Sequence, residues 1–326
     1  MVKHALVTGG GGYIGSHMVH LLVKSGYQVT VIDNFSTGFR ENINSNATLV
    51  EHDLCDQKAT INTITQSKPD IIFHFAAMSL VGESAIKPWS YLHYNTLMTQ
   101  NILEGMKRAN CKSLVYSSSC AVYGMAQIIP IPEYHPLAPL SPYGESKAMS
   151  ERMIEVATIE WGLHAVALRY FNVAGCGSNP VLHERHEPET HLIPNLLNSA
   201  HQQQTFSLYG TEHDTPDGTA IRDYIHVQDL AEAHKTAGEN LLNSTWNGWN
   251  HFNLGSGNGY SVRQVIAAVE TCTGVQIETE SFPPRLGDPP KLLADDRLWR
   301  KATGQAVSKQ DITMMIHSAW KAMADE

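Results

Sequence analysis

The chain has 326 residues, of which 42% are hydrophobic and 17% charged, so it has enough apolar material for one large α/β unit or for a main domain with a smaller one. Its formal net charge of −9 argues against a nucleic-acid-binding surface, and an anionic ligand must be held by a few arginines or by helix N-termini. The five cysteines are odd in number and never spaced as CxxC, which is typical of reduced thiols and argues against a disulfide framework or a cysteine zinc site.

The first half of the chain alternates short apolar runs with amphipathic stretches. The apolar runs predict strands at 3–8, 28–33, 48–53, 70–76, 113–119 and 164–173. The stretches between them predict helices near 13–25, 57–66, 90–109 and 143–161. Because strands that alternate with helices form right-handed crossovers, we predict an α/β fold with a Rossmann-like, doubly wound parallel sheet.

The second half is less regular and predicts a smaller C-terminal α/β domain. Polar loops are expected at 175–190 and 210–220, a strand at 206–210, and a proline-rich segment without regular structure at 281–293. Helices are expected at 191–202, 228–242, 260–273 and 309–323. We therefore place one domain at 1–174, to which 218–243 returns, and a second at 175–326.

The first predicted strand runs into TGGGGYIGS, in which Gly9, Gly12 and Gly15 lie three residues apart between a strand and a helix. In that context, glycines permit a tight turn, a close approach to a pyrophosphate and close helix–strand packing. Asp33 ends the second strand, where a carboxylate accepts hydrogen bonds from an adenosine ribose and repels a 2′-phosphate. The pattern favours NAD. Arg40 is an alternative 2′-phosphate ligand, although a solvent-facing loop arginine is the expected interpretation.

Residues 141–147 read SPYGESK, and Ser141 followed by a proline is a typical helix start. Tyr143 and Lys147 are four residues apart and lie on one face of the predicted helix. An ammonium group beside a phenol stabilises the phenolate and lowers the tyrosine pKa. A tyrosine in that setting can remove a proton from an alcohol at physiological pH.

These motifs together resemble the extended short-chain dehydrogenase/reductase family. The resemblance is carried by TGGGGYIGS, Asp33, SSSCAVYG (117–124) and YGESK (143–147). Further segments are similar to the members that act on nucleotide sugars, and they span nearly the whole chain: FHFAAMSLVGES (73–84), LRYFNVAG (168–175), ETHLIP (189–194), GTAIRDYIHV (218–227) and PRLGD (284–288).

The resemblance implies a role for each matching residue. Tyr143 is the expected base, Lys147 tunes it and binds the nicotinamide ribose, and Ser119 hydrogen-bonds the same sugar hydroxyl. The expected cofactor is NAD, and the residues that match its contacts are Gly9, Gly12, Tyr13, Ile14, Gly15, Asp33, Asn34, Ser36, Asp53, Leu54, Phe75, Ala76, Ala77, Ser79, Asn95, Ser117, Tyr143, Lys147 and Phe171. The expected substrate is a UDP-sugar held mainly by the second domain, and the matching residues are Ser119, Tyr143, Asn172, His191, Leu192, Ser207, Leu208, Tyr209, Arg222, Arg285, Asp288 and Leu292.

The implied activity is 4-epimerisation, in which UDP-galactose and UDP-glucose interconvert through a 4-keto sugar with tightly bound NAD. Members of the family that eliminate water carry an Asp–Glu pair directly after the strand-end Ser or Thr. This chain has Cys120 and Ala121 there, and neither is an acid at neutral pH. A 4-epimerase of an N-acetylated, uronic or pentose UDP-sugar stays open, because Leu292 is intermediate in size at a position that gates the sugar. A non-catalytic dinucleotide-binding regulator is a further alternative, but it would be expected to lack Tyr143 or Lys147.

Two positions depart from the usual pattern of the family. Ser79 stands where many members have lysine, and His191 stands where asparagine is frequent. His183, His186 and His191 are loop histidines at irregular spacing, so the sequence predicts no metal.

Partners and location follow partly from the resemblance. The family usually forms homodimers through two helices of each subunit, for which 90–109 and 143–161 are the candidates. The sequence contains neither a signal-peptide pattern nor an apolar run long enough to cross a membrane. We therefore expect a cytoplasmic homodimer with no membrane or nucleic-acid partner.

Overall fold

The structure is a computed structural model that describes residues 2–285, 289–306 and 311–324. Contacts between residues divide the chain into two compact units. The first unit comprises Met1–Gly124, Leu137–Arg169 and Ala231–Phe252, and the second comprises Met125–Pro136, Tyr170–Leu230 and Asn253–Glu326. These boundaries differ from the ones expected from the sequence at 125–136, 170–174, 218–230 and 244–252. Segment 125–136 belongs to the second unit because Ile131 forms a β-bridge with Ala294. The local sequence around Ile131 does not predict this pairing.

Strands and helices are numbered in chain order. The strands are β1 (His4–Thr8), β2 (Gln28–Asp33), β3 (Thr48–Glu51), β4 (Ile71–His74), β5 (Ser113–Ser119), β6 (His164–Tyr170), β7 (Asn172–Ala174), β8 (Phe206–Tyr209), β9 (Ile221–His226), β10 (Trp249–Leu254), β11 (Gly259–Ser261), β12 (Thr279–Phe282) and β13 (Lys291–Leu292). The helices are α1 (Tyr13–Lys24), α2 (Gln57–Ser67), α3 (Val81–Ile86), α4 (Pro88–Ala109), α5 (Pro142–Trp161), α6 (Leu192–Gln202), α7 (Val227–Leu242), α8 (Val262–Thr273), α9 (Arg297–Thr303) and α10 (Ile312–Ala324). Short 3₁₀ turns occur at Arg40–Asn42, Cys120–Val122 and Pro180–Leu182.

The central sheet has the strand order β3-β2-β1-β4-β5-β6-β10. The pairs from β3 to β5 are parallel. From β1 the chain builds outward first through β2 and β3 and then, on the other side, through β4, β5 and β6. This reversal is the switch point at which doubly wound sheets bind ligands at the carboxyl ends of their strands. The predicted Rossmann-like fold class is confirmed, and the predicted elements of the first half are present to within a few residues.

Long helices α4 and α5 cover this sheet and have well-defined ends. Pro88 opens α4, and Asn110 ends it in the left-handed conformation at φ 56°. The Ser141 side chain accepts a hydrogen bond from the N–H of Gly144 at 3.1 Å, so the predicted cap of α5 is confirmed. Gly162 ends α5 at φ 72°, a conformation that glycine adopts without strain.

A hydrophobic core in the first unit joins the strands to α4 and α5. Its buried side chains include Leu6, Ile32, Ile72, Leu114, Ile102, Met106, Ile154 and Ala167. Burying a side chain of the size of Leu or Ile contributes about 1.5–3 kcal/mol. This packing holds the ends of β1, β2, β4 and β5 in fixed positions.

The second unit contains smaller sheets and a separate core. Strand β9 pairs in parallel with β7 and β13 and antiparallel with β11, and β8 pairs in parallel with β12. Its core comes largely from α6, α8 and α10 and includes Leu196, Leu197, Leu208, Tyr224, Val265, Val269, Met315 and Ile316. This core keeps the two sheets of the unit in place.

The helices and the cysteines bear on the expectations about membrane spans and disulfides. Within the part of the chain that the structure describes, every helix is too short or too polar to cross a bilayer. All five cysteines are free thiols.

Candidate active site

The loop between β1 and α1 packs so closely that glycine is required at two positions. Gly9 has φ +72°, and a Cβ there would lie 2.7 Å from the backbone N of Ala76. A Cβ on Gly15 would lie 2.1 Å from the carbonyl O of Gly9, which is sterically impossible without a shift of the backbone. At Gly12, directly before α1, a Cβ would meet only the same carbonyl, at 3.4 Å. The first N–H groups of α1 have no carbonyl partner within the helix, as at any helix start, and this is the arrangement that binds phosphate groups after a glycine loop.

Asp33 holds its carboxylate beside this loop. Oδ2 accepts a hydrogen bond from the N–H of Gly11, and Oδ1 accepts one from the N–H of Phe35, both at 2.8 Å. The carboxylate is thus fixed where it can accept hydrogen bonds from a ribose. Arg40, the alternative ligand for a 2′-phosphate, instead pairs with Glu51 and stacks on Phe35, with Cζ 4.7 Å from the ring centroid. These contacts favour NAD.

Asn95 on α4 fixes the segment that follows β4. Its Oδ1 accepts the N–H of Met78 at 2.8 Å, and its Nδ2 donates to the Met78 carbonyl at 3.0 Å and to the Ser146 hydroxyl at 2.9 Å. Both polar atoms of Asn95 are therefore engaged inside the protein. Its contribution to a cofactor site is to hold the predicted diphosphate segment 75–77 against α5.

The three serines that end β5 have different partners. The carbonyl of Ser117 accepts a hydrogen bond from Lys147 Nζ at 2.8 Å. Ser118 Oγ donates to Glu151 Oε1 at 2.5 Å and is completely buried. Ser119 Oγ accepts a backbone N–H from the 3₁₀ turn that follows, at 3.2 Å, and so keeps its hydroxyl proton for another acceptor. Ser119 is the member of the three that is suited to contact a ligand.

Helix α5 brings Tyr143 and Lys147 to this strand end. Both side chains are mostly buried, and Lys147 Nζ lies 5.8 Å from the centroid of the Tyr143 ring. A Cβ on Gly144 would lie 2.5 Å from the carbonyl O of Ala121, so the start of α5 packs directly on the turn after Ser119. The tyrosine, the lysine and the strand-end serine therefore come from elements in direct contact.

Burial lowers the pKa of Lys147 to about 7, and the charge of Glu151 opposes this shift. Nearby, burial and the charge of Lys147 lower the pKa of His74 to about 3. His74 stays uncharged at neutral pH, and its ring nitrogens hydrogen-bond Thr8 at 2.8 Å and Thr99 at 3.3 Å. This neutral histidine joins β1, β4 and α4 beneath the site.

Glu151 and Arg169 form a buried ion pair that the sequence pattern did not predict. Arg169 donates from Nη2 to Oε2 at 2.6 Å and from Nε to Oε1 at 3.0 Å, and from Nη1 to the Tyr123 hydroxyl at 2.9 Å. Both side chains are less than a twentieth exposed, at 4% and 3%. The sequence did contain a signal for Glu151, namely its spacing. Glu151 follows Lys147 by four residues, and Lys147 follows Tyr143 by four. All three therefore share one face of α5.

In the second unit, predicted substrate residues gather around β9. Arg222 on β9 is in register with Leu292 of β13, and Asn172 of β7 donates to the carbonyl of Asp223 at 3.2 Å. Asp223 was not singled out from the sequence. Burial raises the pKa of its carboxyl group, and hydrogen bonds from three backbone N–H groups and the Ser256 hydroxyl oppose the rise. Asp223 thus anchors the strand that carries Arg222.

A second predicted arginine lies beside β8 in the same unit. Arg285 Cζ is 4.5 Å from the centroid of the Tyr209 ring, which in turn stacks on Phe282 at 5.4 Å. Leu208, the neighbour of Tyr209, points into the core. Asp288, the predicted ribose contact, lies outside the described residues.

His191 immediately precedes α6, and Leu192 is the first residue of the helix. The Nδ1 atom of His191 lies 3.0 Å from Glu184 Oε1 and 3.3 Å from Glu189 Oε1. The ring orientation of this predicted substrate contact is thus set by two carboxylates.

The remaining predicted residues lie mainly at strand ends and helix starts. They are Tyr13 and Ile14 in the first turn of α1, Asn34 and Ser36 after β2, Asp53 and Leu54 after β3, Ser79 before α3, Phe171 between β6 and β7, and Ser207 in β8. Phe171 is buried within the second unit and donates its N–H to the carbonyl of Leu254 at 3.2 Å.

Known proteins resemble the chain over almost its whole length. A model of the NAD dependent epimerase/dehydratase family matches residues 5–255. The chain is similar to a UDP-glucose 4-epimerase of Lactobacillus helveticus, with 41% identity over 317 residues that cover 97% of this chain and 96% of the relative. It also resembles the crystal structure of the UDP-glucose 4-epimerase of Brucella ovis in complex with NAD, with a TM-score of 0.93, 38% identity and 98% of both chains covered. The structure of the Bifidobacterium longum enzyme in complex with NAD+ and UDP gives a TM-score of 0.93 at 32% identity, with 99% of both chains covered.

The lowered pKa of Lys147 predicts a pH-dependent contribution to stability. A lysine in the unfolded chain titrates near about 10.4, whereas Lys147 in the folded protein titrates at about 7. Between these values the unfolded state binds more protons than the folded state. We expect the free energy of unfolding of the wild type to rise with pH relative to that of Lys147→Met, by up to ~1.4 kcal/mol per pH unit, and the difference to be constant below the folded pKa.

Denaturant titrations at a series of pH values measure this difference. Lys24→Met is the matched control, because Lys24 is exposed at the end of α1 and the same comparison should give no slope. A flat difference for Lys147→Met as well would show that Lys147 keeps an ordinary pKa.

Proposed function

Because the chain belongs to the NAD dependent epimerase/dehydratase family, we propose that it is an isomerase that interconverts UDP-galactose and UDP-glucose by reversible oxidation at C4 of the sugar. One observation carries the proposal: α5 places the buried Lys147 one turn from Tyr143, against the strand that ends in Ser119. Membership of the family and the fold indicate NAD as the cofactor. Tyr143, Lys147 and Ser119 are the residues to which we assign proton transfer.

The residues of the first unit fit NAD. The Gly9–Gly15 loop leaves the first turn of α1 open to a diphosphate, and the Asp33 carboxylate is fixed beside it by two backbone N–H groups. Bound by these residues, NAD would supply the hydride acceptor and donor for C4 of the sugar. Net redox is zero, so the cofactor needs no exchange and tight binding is an advantage.

We assign the proton transfer to Tyr143. Its phenolate takes the proton of the 4-hydroxyl, and a positive charge on Lys147 favours that phenolate. Lys147 is itself held by the Ser117 carbonyl, so its ammonium group is directed and not free to rotate away. Ser119, which retains a hydroxyl proton, hydrogen-bonds the same sugar oxygen.

The turn after Ser119 limits the reaction to epimerisation. Elimination of water from a 4-keto sugar needs an acid and a base near C5 and C6. Cys120 and Ala121 occupy the two positions that follow Ser119 and supply neither group. Without elimination, the remaining course for the 4-keto sugar is to turn within the site and be reduced on its opposite face, which gives the 4-epimer.

The second unit supplies charge for the nucleotide. We assign the diphosphate to Arg222 and Arg285, whose planar guanidinium groups form forked hydrogen bonds with phosphate oxygens. A protein with a net charge of −9 needs such local cations to hold a diphosphate. Firm binding of UDP and weak binding of the hexose allow the sugar to turn without release.

The test is to incubate the purified protein with UDP-galactose, without added NAD, and to follow its 4-epimer by NMR. Conversion is expected, and Tyr143→Phe should reduce the rate about 10²–10⁴-fold, the usual contribution of a general base. Tyr134→Phe is the matched control, because Tyr134 is 78% exposed and should leave the rate unchanged. Full activity of Tyr143→Phe would refute the catalytic assignment.

The same assay with UDP-N-acetylgalactosamine decides how Leu292 gates the sugar. Conversion of UDP-galactose alone would show that leucine excludes the acetamido group. Conversion of both would assign a broad 4-epimerase. If neither UDP-galactose nor UDP-N-acetylgalactosamine reacts, even after NAD is added, a uronic or pentose UDP-sugar becomes the leading substrate. Inactivity on these sugars as well would favour a non-catalytic regulator.

NAD retention has its own test in Gly15→Ala. The new Cβ would meet the Gly9 carbonyl at 2.1 Å, so the loop must move away from the helix and the protein should be purified nearly free of NAD. Gly82→Ala is the control, because nothing lies within 4 Å of the position of its Cβ. NAD released by denaturation is measured by chromatography, and a full complement of NAD in Gly15→Ala would contradict the proposed loop contact.

We also propose that the protein is a cytoplasmic homodimer assembled through α4 and α5. A groove of ≈ 420 Å³ runs along these helices. Apolar side chains such as Leu103, Val156 and Trp161 line it together with several charged ones. Exposed apolar side chains continue along both helices at Tyr94, Met149, Val156 and Ile159. An apolar surface of this kind is typical of a contact between subunits. The five free thiols support a reducing compartment, the cytoplasm.

Ile159→Asp tests the dimer. Ile159 is 79% exposed on α5, so an aspartate is tolerated in the monomer but would be buried without a partner in the dimer. Sedimentation velocity should show a dimer for the wild type and a monomer for the variant. Ile86→Asp, on α3 and 81% exposed, should remain dimeric, and a monomeric wild type would rule the assembly out.

A further inference from the structure

The segment that leads into α6 brings four potential metal ligands together. They are Glu184, His186, Glu189 and His191, and one donor atom from each lies within 4.8 Å of the others. The two imidazole rings have their centroids 5.1 Å apart and are tilted by 56°. The sequence predicts no metal here, because the histidines alone are irregularly spaced. Glu184 and Glu189 complete a set of four potential ligands that the histidine spacing alone does not predict.

The distances from the imidazole nitrogens to the carboxylate oxygens are close to those of a four-coordinate ion, and all four residues offer donor atoms within 4.8 Å of one another. Zinc binds imidazole nitrogen and carboxylate oxygen at about 2.0–2.2 Å, so neighbouring ligand atoms of a tetrahedral site lie roughly 3.3–3.6 Å apart. The Nδ1 of His186 lies 3.8 Å from Glu184 and 3.3 Å from Glu189, and the Nδ1 of His191 lies 3.0 Å and 3.3 Å from the same two carboxylates. A bound ion would draw the four donor atoms closer together than the 4.8 Å that now limits their separation.

Charge and burial also fit a cation. Both glutamate side chains are only 9% exposed, and His186 is 20% exposed. Burial alone would lower the pKa of His191, but Glu184 and Glu189 raise it to about 10. A divalent ion would replace that proton and balance both carboxylates. The N–H groups of Thr190 and His191 donate to Glu189 Oε1 at 2.8 Å and 2.9 Å and so orient this carboxylate. Such hydrogen bonds to the ligands are characteristic of metal centres.

We propose that Glu184, His186, Glu189 and His191 bind one divalent transition-metal ion, with Zn²⁺ as the ion that this mixed nitrogen and oxygen set fits best. The role of the ion is structural. It closes the segment 184–191 into a ring directly before α6 and fixes His191 through Nδ1. The other ring nitrogen, Nε2, points in a different direction and remains available to a ligand.

The experiment is a titration of the purified, chelator-treated full chain with Zn²⁺, followed by calorimetry and by the metal content after dialysis. One equivalent of Zn²⁺ per chain and a higher melting temperature are expected. His186→Ala should weaken binding by at least about 100-fold, the upper end of the loss caused by outer-shell substitutions. Glu184→Gln, which keeps the size of the side chain, provides a second variant if His186→Ala fails to fold.

His93→Ala is the matched control, because His93 is exposed on α4 and outside the cluster, and it should bind one equivalent with unchanged affinity. Co²⁺ gives an independent readout, since the intense visible bands of a four-coordinate ion should appear in the wild type and disappear in both variants. Absence of binding would show that the carboxylates and imidazoles pair only with one another. Binding that persists in both variants would place the metal elsewhere, and either result overturns the proposal whether or not the protein turns over UDP-galactose.

Discussion

A buried ion pair between Glu151 of α5 and Arg169 of β6 determines the geometry of the candidate active site. Removing two charges from water is expensive, and the arrangement is stable only when nearly every polar atom has a partner. Here two forked hydrogen bonds join the pair, and Tyr123 and Ser118 satisfy the remaining atoms. The pair therefore locks α5 to β5 and β6 in one register. Lys147 lies one helical turn before Glu151, and Ser119 directly follows Ser118, so the same lock orients both.

The chemistry of the site depends on the protonation states of its buried side chains. Burial lowers the pKa of Lys147 to about 7, whereas Glu151 one turn away stabilises its ammonium form. His74, also buried, stays neutral and serves as a hydrogen-bonded strut. The lysine therefore titrates near physiological pH, beside Tyr143, the proposed base. A more exposed lysine would hold its proton permanently and respond little to its surroundings.

The proposed cofactor site in the first unit and the proposed nucleotide site in the second use different chemical groups. The first unit presents backbone N–H groups and a fixed carboxylate around a glycine loop, and its close contacts at Gly9 and Gly15 leave no room for side chains. The second unit presents arginines, one on β9 and one stacked on Tyr209, on a protein that is acidic overall. The proposed metal centre would add rigidity to the second unit just before α6.

The sequence by itself determined the alternation of strands and helices in the first half, the glycine loop, the Ser141 cap and the common face of Tyr143 and Lys147. Each of these depends on local conformation or on helical periodicity, which neighbouring residues encode. Strands β9 and β10 were missed because polar residues interrupt their apolar pattern, and α3 was missed because its six residues give too little helical periodicity to detect. Only the tertiary structure decided the partners of Glu151, the anchoring of Asp223, the placement of segment 125–136 and the convergence of Glu184, His186, Glu189 and His191. These contacts depend on how separate elements pack or on how an irregular loop folds back, and the spacing of residues along the chain does not specify either.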